Sequence, residues 1–399
     1  MRLLLTTLIC AGSLLTYAQG AWTVKDSVNG QPRSVASSFV LNGEGYVMGG
    51  LDNDGFRRKM YSYDFWQNDW DDELSIGGVS GDGLERGSAC AFNANNKGYI
   101  CLGQGETNPF FGDLWEYDPN TETWSQKANF IGTPRRQAVS FVIDEIAYVG
   151  TGIDINGLQK DMYRYDAATN IWTPLNDFGG TARKEAVGFS MGDQGYIGTG
   201  DDGVMLTDFW QYEPSTDTWT QKTDFPGTPR KGAVGWGQFP SGFICMGEDI
   251  NFNYTKDLWE YNYYADSWVQ RADYPGPGRS NATAFILNDF AFVGTGYNGT
   301  FQDDMYAYLR ILNVDEIPAL NVKAYPNPAV EKITIEADYN DFDLHIVSLD
   351  GKTSIDASNI VKTTNGYEIL RGNAPTGTYL AYFTRKHTGE IHVEKIQFI

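Results

Sequence analysis

A segment of about 50 residues recurs six times along this chain, and this repeat restricts the possible folds more than any other feature. Each copy opens with Arg, followed by Ala three residues later and by an aromatic residue after three more. The six arginines are Arg33, Arg86, Arg135, Arg183, Arg230 and Arg279. A second aromatic residue follows, and four residues beyond it stands glycine: Gly50, Gly103, Gly152, Gly200, Gly247 and Gly296.

The fourth copy shows the strand pattern of the repeat. Between Arg183 and Pro229 the segments RKEAVGFS, GYIGTG, DFWQYEP and TWTQK alternate apolar and polar residues, and Gly, Asp and Pro separate them. The pattern predicts four short β-strands. A single sheet of this size cannot bury both faces, so each copy must pack against others like it.

Tryptophan spacing predicts how the repeats close. A Trp stands seven residues after the last strand-three aromatic in five copies, but the sixth copy lacks one after Tyr308. Trp22 stands alone, eleven residues before Arg33, which is the Trp-to-Arg interval of four other copies. We therefore expect the N-terminal strand to complete the sixth sheet and to remove two exposed sheet edges.

These residues resemble the kelch repeat over residues 21–310, with a true double glycine only at Gly49-Gly50. The resemblance implies an all-β, six-bladed propeller closed by its N-terminal strand, over residues 19–311. It leaves function open, because such propellers include enzymes and binding platforms. Galactose oxidase, a kelch propeller, holds copper with histidines, whereas all three histidines here lie in the tail, at His345, His387 and His392. We expect no metal and no cofactor.

Both ends of the chain carry export signals. Residues 1–18 have a basic start, an apolar run and the small residues Thr16 and Ala18, which predicts a signal peptide. A linker is expected at 312–323 and a small β-sandwich at 324–399. The YPNP start, the LDGK turn, the GTYLAYF strand and the terminal KIQFI resemble the type IX secretion sorting domain of Bacteroidetes. That resemblance implies recognition by the type IX machinery and a secreted or outer-membrane-surface protein of a Gram-negative bacterium.

Charge and cysteine usage narrow the partners. The formal net charge of −21 argues against nucleic acid or an anionic membrane as a partner. We expect a monomer with no membrane span once the signal peptide is removed. Cys90 and Cys101 face each other in one hairpin, which allows a disulfide or two buried thiols. Cys245 is expected to be a core residue.

The repeat arginines are the first candidates for a binding site. On the innermost strands they should surround one channel mouth, where the loops add further candidates: Glu106, Asp201, Asp202, Phe110, Phe252 and Tyr254. An architectural role competes with ligand binding, because five copies carry a matching aspartate before strand three, at Asp113, Asp161, Asp208, Asp257 and Asp304. Buried charges need such partners. The first copy has Lys59 there instead.

A functional site should break the six-fold pattern. Two residues after each Arg stand Val35, Ser88, Gln137, Glu185, Gly232 and Asn281, of which Glu185 is the only acid. Glu185 and, from the loops at the same channel mouth, Glu248 are the candidate catalytic residues.

The sequence favours a secreted or surface-displayed module that binds a glycan or an extracellular protein. A metal-independent carbohydrate epimerase, mutarotase or lyase in the propeller mouth and a structural adhesion protein are the alternatives.

Overall fold

The computed structural model of the protein describes residues 20–80, 83–310, 322–337, 342–348, 355, 357–363, 366–385 and 391–399. The signal peptide expected at 1–18 and most of the expected linker lie outside the described residues. Strands dominate, with short 3-10 turns at Gly78–Ser80 and Ala357–Asn359. The all-β class expected from the repeat is confirmed.

Six four-stranded antiparallel sheets occupy residues 21–309. Sheet 1 comprises Ser37–Leu41, Glu44–Met48, Met60–Asp64 and Asp69–Glu73. Sheet 2 comprises Cys90–Ala94, Lys97–Cys101, Leu114–Asp118 and Thr123–Gln126. Sheet 3 comprises Val139–Ile143, Ile146–Gly150, Met162–Asp166 and Ile171–Pro174.

The other three sheets follow the same order. Sheet 4 comprises Val187–Met191, Gln194–Gly198, Phe209–Glu213 and Thr218–Lys222. Sheet 5 comprises Val234–Gln238, Ser241–Glu248, Tyr254–Asn262 and Ser267–Arg271. Sheet 6 comprises Thr283–Leu287, Phe290–Gly294, Met305–Leu309 and the N-terminal strand Ala21–Lys25. Additional short strands lie in the segments that connect the main strands, at Leu51–Asp52, Gly55–Phe56, Arg135–Arg136, Ile153–Asp154 and Gly157–Leu158.

Apolar alternation explains how the sheets stack. Along Val187–Met191, residues 187, 189 and 191 are buried while 188 and 190 are half-buried. Phe189 stacks on Tyr196 of its own sheet, and Tyr196 contacts Tyr261 of sheet 5. Each sheet therefore buries its aromatic face against the next, as the period-two pattern requires.

The first strands of the six sheets contact one another in turn, and that of sheet 6 also contacts that of sheet 1. These first strands form a ring. At one end of it, the residue two positions after each repeat arginine donates its backbone amide hydrogen to the backbone carbonyl of the equivalent residue in the preceding sheet. These six bonds, 2.8 to 3.1 Å long, return from sheet 1 to sheet 6. The six residues, called here the six-residue ring, are Val35, Ser88, Gln137, Glu185, Gly232 and Asn281. All six have φ between 50° and 60°.

The repeat glycines form a second set of contacts between sheets. Each donates its amide hydrogen to the carbonyl of the next sheet's arginine, as Gly200 does to Arg230 at 2.9 Å, and Gly296 returns to Arg33 at 2.7 Å. Gly200 has φ +96°, and a Cβ there would lie 2.9 Å from the carbonyl oxygen of Lys184. Glycine is required because the conformation is left-handed and the neighbouring backbone is too close for a side chain.

The N-terminal strand completes sheet 6. Residues 21–25 pair with 305–309, which sets Trp22 opposite Tyr308. The Trp22 ring packs edge-on against Tyr274, and its indole N–H donates to the carbonyl of Ala272 in the preceding sheet. The first strand of the repeat region thus binds to the last one.

The tail contains two further sheets that share one core. One comprises Val322–Tyr325, Lys332–Ala337, Gly366–Leu370 and Ile360–Thr363, and the other Phe342–Ser348, Gly377–Arg385 and Ile391–Phe398. Buried side chains from both sheets form this core, with Ile335 and Ile369 from the first and Phe383 and Phe398 from the second.

Candidate functional site

The six repeat arginines are buried structural residues. Their exposed fractions are 0–2%. Arg183 shows the pattern: its Nε donates to the carbonyl of Thr181, its Nη1 donates to the carbonyl of Thr199, and both Nη atoms donate to Asp208. The ring of Phe178 lies 4.9 Å from its guanidinium carbon. Every face of this guanidinium is therefore occupied.

The same bidentate pair with aspartate recurs in sheets 2 to 6. The pairs are Arg86–Asp113, Arg135–Asp161, Arg183–Asp208, Arg230–Asp257 and Arg279–Asp304. The assignment of the repeat arginines to ligand binding is wrong, because no guanidinium is exposed to a ligand. The architectural alternative explains them: each arginine satisfies the carbonyl at the end of strand two, where the backbone turns left-handed.

Sheet 1 departs from this pattern because Lys59 replaces the aspartate. Arg33 keeps the bonds to the carbonyls of Gln31 and Gly49 that match those of the other arginines, and in place of the aspartate it donates to the carbonyl of Asn29 and the hydroxyl of Tyr61. The Lys59 ammonium faces outward and pairs with Asp72 at 2.9 Å. A backbone carbonyl and a hydroxyl thus replace the carboxylate without exposing the guanidinium.

The side chains of the six-residue ring differ, although their backbones form one repeated pattern. On one side of the six-residue ring, called here below it, lies a central channel. Its space of about 170 Å³ is lined by the ring and by the six repeat alanines. Above the ring opens a cavity of about 520 Å³. Five ring residues line this cavity as well: Val35, Ser88, Gln137, Glu185 and Asn281. The cavity is therefore where the repeat symmetry is broken.

Loops of sheets 6, 1 and 2 supply the other walls. They contribute Pro32, Ser34, Leu51, Asn53, Gln104, Tyr297, Gly299, Thr300 and Phe301. Tyr297 and Phe301 lie 5.1 Å apart between ring centroids, and Tyr254 abuts Tyr297 edge-on at 6.4 Å. The cavity thus joins an aromatic wall to a polar floor.

Hydrogen bonds orient the amides of this floor. Gln137 donates from Nε2 to the Glu185 carboxylate at 2.9 Å, which leaves the side-chain oxygen of Gln137 to accept a hydrogen bond. Arg136 donates to the Gln104 side-chain oxygen, which leaves the Gln104 nitrogen to donate. The Ser88 hydroxyl is buried with no protein partner among the described residues. The floor therefore offers both donors and acceptors.

Glu185 is the one charged residue among those that line the cavity. Its side chain is 8% exposed, and Lys231 Nζ lies 3.7 Å from Oε2. Burial raises the pKa of Glu185, and nearby Asp201 and Glu248 raise it further, against the opposing effect of Lys231 and Lys184. Burial outweighs the two cations.

The other predicted site residues lie outside the cavity wall. Glu248 is 3.9 Å from Lys231, and Asp201 is 3.6 Å from Lys184. Asp202 caps its own turn through the amide of residue 204. These acids accept hydrogen bonds from their own loops or form ion pairs with neighbouring lysines. Glu106 is exposed on the loop of sheet 2.

The predicted aromatic residues are also dispersed. Phe110 packs under the Arg136 guanidinium at 5.5 Å, and Phe252 is 75% exposed at a loop tip. Tyr254 does not line the cavity but contacts Tyr297, which does. Six-fold comparison identified the ring position, but it did not identify the wall residues from the connecting loops, which vary in length and sequence.

The disulfide considered for Cys90 and Cys101 is not formed. The two residues are register partners, as expected, but both are free, buried thiols. Burial raises the pKa of the Cys101 thiol well above its usual value, and contact with Cys90 adds to this. Cys245 is likewise a buried free thiol, as expected of a core residue.

Two family models match this chain. The model described as KLHDC2/KLHL20/DRC7 Kelch-repeats domain matches residues 86–235, and that described as secretion system C-terminal sorting domain matches residues 323–397. No curated protein sequence matches the chain. The described residues contain no helix that is long and apolar enough to cross a membrane.

The chain therefore contains a kelch-repeat region, whose antiparallel four-stranded sheets are consistent with a β-propeller, and a C-terminal sorting domain. The sorting domain indicates recognition by the type IX secretion machinery and export to the cell surface or the medium of a Bacteroidetes-type Gram-negative bacterium.

Proposed function

We propose that the exported propeller binds a carbohydrate in the cavity above the six-residue ring. The observation that carries the proposal is the cavity wall, where side-chain amides and hydroxyls meet two aromatic rings and a single charge. A volume of about 520 Å³ lies within the range of small-ligand sites.

Sugar hydroxyls suit this floor because each can donate and accept a hydrogen bond. The free carbonyl oxygen of Gln137 accepts, the nitrogen of Gln104 donates, and Asn281 supplies a further amide. Tyr297 and Phe301 give the apolar face of a pyranose ring a surface to cover. The polar groups fix orientation while the aromatic wall supplies buried area.

An enzyme acting on the same sugar is the second candidate. Burial raises the pKa of Glu185, and a raised carboxyl pKa is what a general acid requires. Glu248, the other candidate acid, lies beside Lys231 outside the cavity wall, so a partner carboxylate for Glu185 is missing from that wall. This arrangement favours binding over turnover.

The test uses the purified chain on an array of neutral and acidic glycans, with hits measured by calorimetry and followed for turnover by NMR. Tyr297→Ala removes the aromatic wall. Asn281→Gly removes an amide while keeping a residue that the ring already uses at Gly232. Each variant is expected to weaken binding about tenfold.

Phe252→Ala is the matched control, since it removes an exposed aromatic residue of the loops that does not line the cavity. Its affinity should equal that of the wild type. The absence of any bound glycan, or a loss on Phe252→Ala without one on Tyr297→Ala, would contradict the proposal. Chemical conversion of a bound sugar would contradict a purely binding function and support the enzymatic alternative.

A further inference from the structure

The cavity wall contains the carboxylate of Glu185, whose neighbouring cation Lys231, at 3.7 Å, does not line the wall. We propose that Glu185 is a specificity-determining residue that excludes anionic sugars from the cavity and so restricts the ligand to uncharged ones. This inference rests on the proposed carbohydrate site and adds the class of sugar that the site rejects.

The backbone fixes Glu185 at the junction of cavity and channel. Its amide donates to Gln137 and its carbonyl accepts from Gly232, at 3.1 and 3.0 Å. The side chain lines both spaces and is held from one side by the Gln137 amide at 2.9 Å. A ligand that reaches the cavity floor therefore meets this carboxylate.

The surrounding charges do not cancel the carboxylate. Lys231 is shared between Glu185 at 3.7 Å and Glu248 at 3.9 Å, while Lys184 lies 3.6 Å from Asp201. Three carboxylates and two ammonium groups leave one negative charge in this cluster when all are ionised. The Arg136 guanidinium lies outside the cluster, bonded to Gln104 and placed over the ring of Phe110. The partners of both lysines are already carboxylates, so a ligand anion gains little from them.

Repulsion at this site is stronger than at the surface because the carboxylate is screened poorly by solvent. A sugar carboxylate on the floor would face Glu185 at close range, whereas a hydroxymethyl group in the same place could donate a hydrogen bond to it. Rejection by a like charge within the site is a general route to specificity. We expect the uronate to bind at least about tenfold more weakly than the hexoside.

The experiment compares methyl glycosides of glucose, galactose and mannose with the uronates of the same configuration, using NMR titration of the full chain. The wild type should prefer the neutral member. Glu185→Gln should reduce that preference to less than about threefold, since it removes the charge and keeps an oxygen that accepts from Gln137. Glu106→Gln makes the same change in net charge on an exposed loop and should retain the preference.

A second measurement needs no variant. The pKa of Glu185 is raised by burial, so lowering the pH below neutrality should remove its charge before that of an exposed glutamate. The preference for neutral glycosides should narrow as the pH falls. If the preference for neutral glycosides does not change with pH, groups other than Glu185 cause it and the inference is overturned.

The outcomes separate the two proposals. Equal binding of hexosides and uronates, or tighter binding of uronates, overturns the role of Glu185 and leaves the carbohydrate site in place. Binding of none of these probes overturns the site, and the inference with it.

Discussion

Replacing Arg183 by Met tests whether the repeat arginines hold the sheets together. The side chain is 0% exposed and bonds to Thr181, Thr199 and Asp208 while covering Phe178. Methionine fills a similar length without charge, so the change removes the hydrogen bonds and the ion pair with little change in volume.

The expected cost follows from what remains behind. The Asp208 side chain is only 21% exposed and keeps one bond, from the indole of Trp210, while the Thr199 carbonyl loses its arginine donor. Removing one member of such a buried pair costs about 3–5 kcal/mol of the free energy of unfolding. For a domain of this size that corresponds to a fall in Tm of about 10 °C.

Tryptophan fluorescence during urea denaturation is the assay. All 11 tryptophans lie between Trp22 and Trp268, so the signal reports the propeller and not the tail. Lys160→Met is the matched control, because its pair with Asp177 spans 3.5 Å with both side chains about half exposed. It should cost less than about 1 kcal/mol.

A double-mutant cycle isolates the pair. Arg183→Met combined with Asp208→Leu removes both charges, so its cost should fall below the sum of the single costs by about 2 kcal/mol. If Arg183→Met is no more destabilising than Lys160→Met, the arginine does not stabilise the fold and the architectural interpretation fails.

Three further changes probe other contacts between and within sheets. Gly200→Ala should cost about 2–4 kcal/mol, against about 1 kcal/mol for Gly203→Ala, which has the same sign of φ but open space around it; equal costs in the same urea assay would contradict the close contact. Trp22→Ala should cost about 3 kcal/mol and raise proteolysis of the last sheet, whereas unchanged stability would show that the N-terminal strand is dispensable. Cys90 and Cys101 should resist alkylation in the native chain and react on denaturation without reductant; a pair that reacts only after reduction would restore the disulfide.

The fold could be predicted because its determinants repeat. Six copies in register identify the residues that any sheet needs, such as the glycine that lets two backbones approach. The partner of each arginine could be suggested from the matching aspartates but not decided. An arginine exposed at a channel mouth and an arginine buried beneath that mouth give the same sequence pattern. Arg33, which has no aspartate and is still buried, shows that backbone carbonyls and the Tyr61 hydroxyl are enough to hold the guanidinium.

The site could be predicted only in part. Glu185 and the ring position were found because they differ among copies that are otherwise alike. Tyr297, Phe301 and Gln104 come from loops whose course depends on turns and on contacts between sheets, such as the bond from Arg136 to Gln104. Those contacts join residues that no spacing within one repeat connects.

The six-residue ring has an evolutionary consequence. Its main-chain hydrogen bonds join the sheets. The six side chains can therefore be substituted without breaking these contacts between sheets. The left-handed backbone narrows the choice, since residues other than Gly, Asn and Asp incur a penalty of about 1 kcal/mol there. Each position nevertheless accommodates a different residue in this chain. Related chains could therefore diversify their ligands by single exchanges in this ring while the scaffold stays unchanged.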